Sequence, residues 1–238
     1  MTKPNSTAIV LIVDESGSMS NVTTDTIGGI KTFLDDQKAV PGEATISLVK
    51  FNHEPTYLWD FINLQTAPEF TNKEYRPNGN TALLDAIGIT IETLGKRLAD
   101  MSEDERPSSV VVAILTDGEE NSSVRFRNAQ DTIKSMIKHQ TDVYSWKFLF
   151  LGANQDAFLS ASTLGIDASS TMNFASTSIG TRAAYASVSR TVRRGRTAGG
   201  ASDSYNFTEQ DIQDYNNAID PANSPTTPIA PVVDPKNP

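Results

Sequence analysis

The 238-residue sequence contains no cysteine and only two histidines. The absence of thiols excludes disulfide bonds, thiolate zinc sites and cysteine nucleophiles, and it fits a reducing compartment. Any metal ion must therefore be held by oxygen atoms or by the two histidines.

Long apolar stretches are also missing from the sequence. No run approaches the roughly 18 apolar residues that a membrane-spanning helix requires. The first seven residues are largely polar, and the apolar run from Ala8 to Val13 is too short for the core of a signal peptide. We therefore expect no membrane partner and a cytoplasmic location, or a virion-associated one if a phage encodes the chain.

Positive charge is scarce, since 20 Lys and Arg face 29 Asp and Glu, which gives a formal net charge of -9. Negative charge repels phosphate backbones and anionic membrane surfaces. One basic cluster is formed by Arg190, Arg193, Arg194 and Arg196, and we expect it to pair within the molecule or to aid solubility. Nucleic acid is thus not an expected partner, whereas cations and basic proteins suit the charge.

Two continuous apolar runs indicate strands that are buried on both faces of a parallel sheet. The first run, Ala8 to Val13, ends at Asp14. The second, Ser109 to Leu115, ends at Thr116, Asp117 and Gly118. Further strands are predicted over 45–51, 56–64, 144–151 and 171–175, and helices over 27–39, 81–98, 129–137, 157–164 and 181–192.

This alternation predicts an α/β fold of the doubly wound, Rossmann-like class, with a six-stranded, mostly parallel sheet and helices on both faces. The short polar linker over 52–55 favours a hairpin between its two strands, which makes one antiparallel edge strand. We assign residues 1–194 to one domain. Residues 195–238 are interpreted as a polar, Pro-rich C-terminal extension, an appendage with a short helix over 208–219 and a potential surface for self-association.

Oxygen-bearing side chains follow strands or open a helix at three places: Asp14, Ser16 and Ser18 after the first strand, Thr81 before the long helix, and Asp117 after the fourth strand. Ligands of open α/β sheets bind where parallel strands end, so these side chains are expected to share one site. Two carboxylates and three hydroxyls suit a hard cation, with Mg²⁺ favoured and Mn²⁺ or Ca²⁺ as alternatives. Each segment taken alone also fits an ordinary turn or helix N-cap.

Three more acidic residues lie near these segments. Glu119 and Glu120 fit a solvated acidic loop better than a role in tuning the site's charge. Asp85 lies one helical turn after Thr81. We expect its carboxylate to accept a hydrogen bond either from the helix it faces or from a residue that binds the metal.

The three segments together resemble the metal-ion-dependent adhesion site (MIDAS) of von Willebrand factor type A (vWA) domains, in an intact form and over residues 7 to 194. The chain is similar to compact bacterial or phage intracellular members. The resemblance implies serine hydroxyls bound directly to the metal and Thr81 bound directly or through water. It also implies that Asp14 and Asp117 act through water and hydrogen bonds, and that an open coordination position accepts an Asp or Glu carboxylate from a protein partner.

The sequence thus predicts a non-enzymatic, cation-dependent protein-binding module. One alternative is a metal-dependent phosphoryl-transfer enzyme with Asp14 as nucleophile. Haloacid-dehalogenase-like phosphatases carry a second aspartate where Ser16 stands, which counts against this alternative. Another is a structural subunit of a phage or bacterial assembly. No phosphate loop, dinucleotide fingerprint or nucleophile elbow is present.

Overall fold

The computed structural model describes residues 2–153 and 157–220, which form one six-stranded sheet in the order β3-β2-β1-β4-β5-β6. All neighbouring strands are parallel except β3, which pairs antiparallel with β2 at the edge. The predicted doubly wound fold with one antiparallel edge strand is therefore confirmed. The strands are β1 (Lys3–Asp14), β2 (Glu43–Phe51), β3 (Pro55–Asn63), β4 (Pro107–Thr116), β5 (Lys147–Ala153) and β6 (Thr171–Phe174).

In the described part of the chain, six α-helices accompany the sheet: α1 (Thr23–Lys38), α2 (Leu83–Asp100), α3 (Gln130–Tyr144), α4 (Ala157–Thr163), α5 (Ser178–Thr197) and α6 (Glu209–Ile219). The same residues include four short 3₁₀ turns, over Gly17–Val22, Leu64–Thr66, Ala168–Ser170 and Ser202–Tyr205. Within the described ranges, no helix is long and apolar enough to cross a membrane.

The predicted start of the fifth strand at Tyr144 is wrong, because Tyr144 is the last residue of α3. Ser145 adopts a left-handed conformation with φ of 57° and donates its backbone N–H to the carbonyl of Thr141. Such a left-handed residue ends a helix by satisfying its last carbonyls. The strand therefore begins at Lys147.

The apolar residues of β1 point alternately to two cores, one on each face of the sheet. Ile9, Leu11 and Val13 face α1 and α5, whereas the residues between them face α2 and α3. Burial on both faces explains why this strand is continuously apolar. Trp59 and Trp146 are buried in opposite cores.

The C-terminal segment packs on the domain, in contrast to the predicted appendage. The proposed boundary after residue 194 falls inside α5, which runs to Thr197. Tyr205 is fully buried, and its hydroxyl lies 2.9 Å from the Ser109 hydroxyl on β4. The helix predicted over 208–219 forms as α6, with Tyr215 buried in the same core as α5. Residues 221–238 of the predicted Pro-rich tail lie outside the described residues.

Two arginines of the basic cluster pair within the molecule, as expected. Arg190 and Arg194 lie 3.3 and 3.0 Å from the carboxylate of Asp211 in α6. Burial favours the protonated form of this carboxylate, but hydrogen bonds from Thr208 and the charge of Arg194 outweigh it and lower the pKa of Asp211. Asp211 and Thr208 also form the capping box that begins α6. The pairing therefore ties α6 to α5.

The packing of α5 on Tyr205 gives a test of this arrangement. A Cβ on Gly195 would lie 2.3 Å from the Tyr205 ring, so Gly195→Ala is expected to lower the free energy of unfolding by about 1–3 kcal/mol. The control is Gly28→Ala in α1, where a Cβ would meet no atom within 4 Å. There alanine should raise the free energy of unfolding by up to about 1 kcal/mol through helix propensity. Urea denaturation measures the free energy of unfolding of both variants. If alanine stabilised the protein equally at Gly195 and at Gly28, the packing of Tyr205 against Gly195 would be contradicted.

Candidate metal centre

The predicted site residues lie at the carboxyl edge of the sheet, the end where the parallel strands β1, β4, β5 and β6 finish. Val13 of β1 pairs with Leu115 of β4 in the centre of the sheet. The next residues, Asp14 and Thr116, are the last of their strands and therefore lie side by side. This pairing brings Asp14 next to Thr116 and Asp117.

Asp14 is fully buried, and both of its carboxylate oxygens accept hydrogen bonds. The backbone N–H of Ser16 donates to Oδ1 at 2.7 Å, and the Thr116 hydroxyl donates to Oδ2 at 2.6 Å. Burial raises the pKa of Asp14, although these hydrogen bonds partly oppose the shift and the charge of Asp117 adds to it. A cation nearby would stabilise the ionised form of such a carboxylate.

Hydroxyls connect the two predicted carboxylates. The hydroxyl oxygens of Ser16 and Ser18 lie 3.0 Å apart, and the Ser18 hydroxyl donates to Asp117 Oδ1 at 2.5 Å. Ser16 precedes the first 3₁₀ turn, but its side chain makes no capping hydrogen bond. Ser16 thus occupies the N-cap position that the alternative interpretation gave it, but its hydroxyl is not used for capping.

Thr81 does not open the long helix, because α2 begins two residues later at Leu83 and its N-cap is Ala82. The backbone of Thr81 is fixed to Asn121, whose side-chain oxygen accepts the Thr81 N–H at 2.9 Å. A Cβ on Gly118 would lie 2.8 Å from Thr81 Oγ1 and 3.6 Å from Asp14 Oδ2. The Thr81 hydroxyl and the Asp14 carboxylate thus line one small space beside Gly118.

The structure brings all five predicted residues to this place. Asp14, Ser16, Ser18 and Asp117 form one chain of contacts, and Thr81 Oγ1 and Asp14 Oδ2 lie 2.8 and 3.6 Å from the position of a Cβ on Gly118. Two carboxylates and three hydroxyls are donors that fit a hard divalent cation. Among the described residues, no group of three or more His, Cys, Asp or Glu side chains is arranged to hold a metal ion. A metal at this site would therefore depend on the hydroxyls.

Two nearby acidic side chains bind backbone amides instead. Asp85 is buried and accepts hydrogen bonds from three successive backbone N–H groups, those of residues 124–126, at 2.7 to 3.1 Å. Glu120 accepts the N–H of Leu84 at 2.9 Å. This N–H lies in the first turn of α2, where backbone donors have no carbonyl partner within the helix. The expectation of a solvated loop is wrong for Glu120, whereas Glu119 is exposed. Both bound carboxylates shape the loop that follows Asp117.

A third acidic residue, Glu15, holds the loop over 74–79 against the first strand. It is buried, lies 2.9 Å from Lys50 Nζ, and accepts the N–H of Arg76 at 2.6 Å. The Tyr75 hydroxyl donates to the backbone carbonyl of Asp14 at 2.5 Å. The loop that leads to Thr81 is thus fixed beside the site.

The sequence did not assign a role to Thr116 or Ser176. Thr116 donates to Asp14, and the Ser176 hydroxyl donates to Asp117 Oδ2 at 3.1 Å. Ser176 follows β6 by two residues, so its place after a parallel strand was a usable signal. A lone serine in a short loop carries that signal weakly.

Comparison with known proteins supports the assignment of the fold. The sequence matches the family model of the von Willebrand factor type A domain over residues 8–186. A comparison with curated protein sequences found no significant match.

Three solved structures illustrate the similarity. Proximal thread matrix protein 1 of the mussel byssus, in a structure with a zinc-occupied MIDAS motif, gives a TM-score of 0.55 at 14% identity and covers 80% of this chain and 46% of its own. A von Willebrand factor type A protein from Catenulispora acidiphila gives a TM-score of 0.53 at 13% identity. The match covers 81% of this chain and 42% of that protein. The D319A mutant of the PilB minor pilin from Streptococcus sanguinis gives a TM-score of 0.54 at 12% identity. The match covers 79% of this chain and 61% of the pilin.

The chain spans less than two thirds of each of these three structures, and at such low identity the likeness concerns the fold alone. Domains of this family often mediate metal-dependent protein interactions through a MIDAS. The strand order, the antiparallel edge strand and the match over residues 8–186 show that the chain belongs to the von Willebrand factor type A domain family.

Proposed function

We propose that the chain is a non-enzymatic, divalent-cation-dependent protein-binding module. In this proposal Mg²⁺ is held by Asp14, Ser16, Ser18, Thr81 and Asp117 and accepts a carboxylate from a protein partner. The observation that carries it is the contact chain from Asp14 through Ser16 and Ser18 to Asp117. The zinc-occupied MIDAS of the mussel protein, which shares the fold, gives independent support.

The residues have separate tasks in this proposal. Ser16 and Ser18 offer neutral hydroxyl oxygens, while Asp14 is held in place by Ser16 N–H and Thr116. Neutral donors leave a cation under-neutralised and attractive to an outside carboxylate. Mg²⁺ is preferred because it needs only one or two protein carboxylates, and Mn²⁺ and Ca²⁺ remain the alternatives to be measured.

The surroundings of the site favour a partner whose carboxylate is flanked by apolar residues. Four exposed apolar side chains lie in the loop or helix that follows β4, β5 or β6, whose carboxyl ends form this edge: Val124, Phe158, Leu159 and Ile179. A single metal–carboxylate contact is weak in water, so most affinity must come from such neighbouring contacts. We propose that these side chains contribute it.

The site is proposed to bind without turnover. A nucleophilic aspartate must be accessible to its substrate, whereas Asp14 has no exposure to solvent. Ser16 offers no second carboxyl group for general acid catalysis.

Three further expectations stay predictions: the cytoplasmic or virion-associated location, a role as a structural subunit, and self-association through the C-terminal extension. Tyr205, Phe207 and Tyr215 of that extension pack on the domain. Solution mass measured with and without EDTA addresses self-association.

The glycines next to the site test whether metal occupies the space beside Gly118. Gly118→Ala would place a methyl group 2.8 Å from Thr81 Oγ1, so we expect Mg²⁺ affinity to fall by about tenfold or more, a loss of about 1.4 kcal/mol. Gly17→Ala is the matched control, because its Cβ would meet only the backbone of Gly79, with the carbonyl oxygen at 3.4 Å and the nitrogen at 3.9 Å. Titration calorimetry with Mg²⁺, Mn²⁺ and Ca²⁺ measures both variants. Equal affinities would contradict the proposed position of the metal.

Asp14→Asn separates loss of metal from loss of fold. The amide can still accept from Ser16 N–H, and the Thr116 hydroxyl can donate to Gly118 O at 3.1 Å instead. We expect the metal-free variant to unfold no earlier than the wild type, because a buried amide avoids the cost of a buried charge. At Mg²⁺ 100-fold above the dissociation constant the wild type should gain about 2.7 kcal/mol, and the variant should lose this gain.

Glu119→Gln is the charge control for this experiment, since it removes one exposed carboxylate from the same loop. It should leave the Mg²⁺-dependent gain in stability nearly unchanged. Thermal unfolding with Mg²⁺ or EDTA measures all three proteins. A phosphatase activity of the wild type that Asp14→Asn lacks would instead favour the enzymatic alternative.

The partner chemistry can be tested with a displayed peptide library screened in Mg²⁺ and in EDTA. We expect peptides selected only in Mg²⁺ to share an Asp or Glu next to apolar residues. The same peptides should not bind the Ser16→Ala protein, which lacks one proposed ligand. Selected peptides without an acidic residue, or binding that survives EDTA, would refute the proposed carboxylate contact.

A further inference from the structure

The segment between β6 and α5 reaches the candidate metal centre through Ser176. Its hydroxyl donates to Asp117 Oδ2 at 3.1 Å, while the other oxygen, Oδ1, accepts from Ser18 at 2.5 Å. Two hydrogen bonds on different oxygens fix the rotation of an aspartate carboxylate about its Cβ–Cγ bond. Asp117 is therefore held from two sides, and Ser18 alone would leave its rotation open.

The segment that carries Ser176 is fixed by α6. The backbone N–H of Ala175 donates to the hydroxyl oxygen of Tyr215 at 2.6 Å, and Tyr215 is only 6% exposed. On the other side, Thr177 caps α5 by accepting the N–H of Gly180 at 3.1 Å. A Cβ on Gly180 would lie 2.2 Å from the Ala175 carbonyl oxygen, so the turn into α5 is tight. Ser176 thus lies between two fixed neighbours.

The position of Tyr215 depends on the pairing of α6 with α5. Asp211, one helical turn before Tyr215, is 2% exposed and binds Arg190 and Arg194. Tyr215 itself lies beyond residue 186, where the match to the family model ends. A continuous series of contacts therefore runs from this C-terminal helix to Asp117.

We infer that Ser176 is a positioning residue for the metal centre and that α6, through Tyr215, holds it in place. The inference rests on the proposed function, because it concerns the same site. Ser176 acts through Asp117 and is not itself counted among the metal ligands. The C-terminal segment, which the sequence suggested to be an appendage, thereby contributes to the affinity of the site for its cation.

The test is Mg²⁺ titration calorimetry on the full chain. Ser176→Ala should weaken Mg²⁺ binding about tenfold, because one hydrogen bond to a charged group is lost. Ser176→Thr keeps the hydroxyl and should bind within about twofold of the wild type. Tyr215→Phe removes the hydroxyl that holds Ala175, the neighbour of Ser176, and so acts on Asp117 less directly. It should weaken Mg²⁺ binding by roughly threefold.

Tyr205→Phe is the matched control for Tyr215→Phe. It also removes a buried tyrosine hydroxyl from the C-terminal segment, but that hydroxyl bonds Ser109 near the start of β4, away from the carboxyl edge. Both variants should lose comparable stability in urea, since each loses one hydrogen bond. Only Tyr215→Phe should change Mg²⁺ affinity and speed hydrogen exchange of the Ala175 amide in metal-free protein.

The outcomes distinguish this inference from the proposed function. If the wild type binds Mg²⁺ and Asp14→Asn does not, wild-type affinity in Ser176→Ala and Tyr215→Phe would overturn the inference alone. An equal loss of affinity in Tyr205→Phe and Tyr215→Phe would overturn the role of α6. A wild type that does not bind Mg²⁺, or binds it no better than Asp14→Asn, would overturn both.

Discussion

The parallel pairing of β1 with β4 in the centre of the sheet is the constraint on which the candidate site depends. It forces Asp14 into a position with no exposure to solvent, beside Thr116 and Asp117. A buried carboxylate is costly unless its oxygens are hydrogen-bonded or paired with a cation. The Ser16 amide and the Thr116 hydroxyl supply the hydrogen bonds, and the charge of Asp117 nearby raises the need for a cation.

The acidic residues around this centre divide by the partners that they bind. Asp85 and Glu120 accept backbone amides, and Glu15 pairs with Lys50, so all three stabilise the loops that surround the site. Their charges are already matched by amide dipoles or by an ammonium group. Asp14 and Asp117 differ because hydroxyls connect them. The result is a site with few carboxylates and several neutral oxygens. A cation bound there keeps enough positive charge to attract a carboxylate from outside.

The C-terminal segment shows how few residues turn a polar stretch into part of a domain. Tyr205 fills the space beside Gly195, and Tyr215 reaches the turn before α5. Asp211 supplies the charge that two arginines of α5 need. Average composition hides these contacts, because the surrounding residues are polar and exposed. Packing on α5 places this segment within reach of the carboxyl edge of the sheet.

The sequence by itself indicated the sheet, its antiparallel edge strand and the five candidate ligands, because the continuous apolar runs, the polar residues that end them and the threonine before the long helix are local patterns. Only the tertiary structure decided that Thr81 lies before α2 and not at its cap, that Glu120 and Asp85 support a loop, and that Ser176 and Tyr215 connect to Asp117. Ser176 is 59 residues from Asp117, and Tyr215 is 40 residues from Ala175. Contacts over such separations are set by how helices pack on the sheet, and they leave no periodic trace in the sequence.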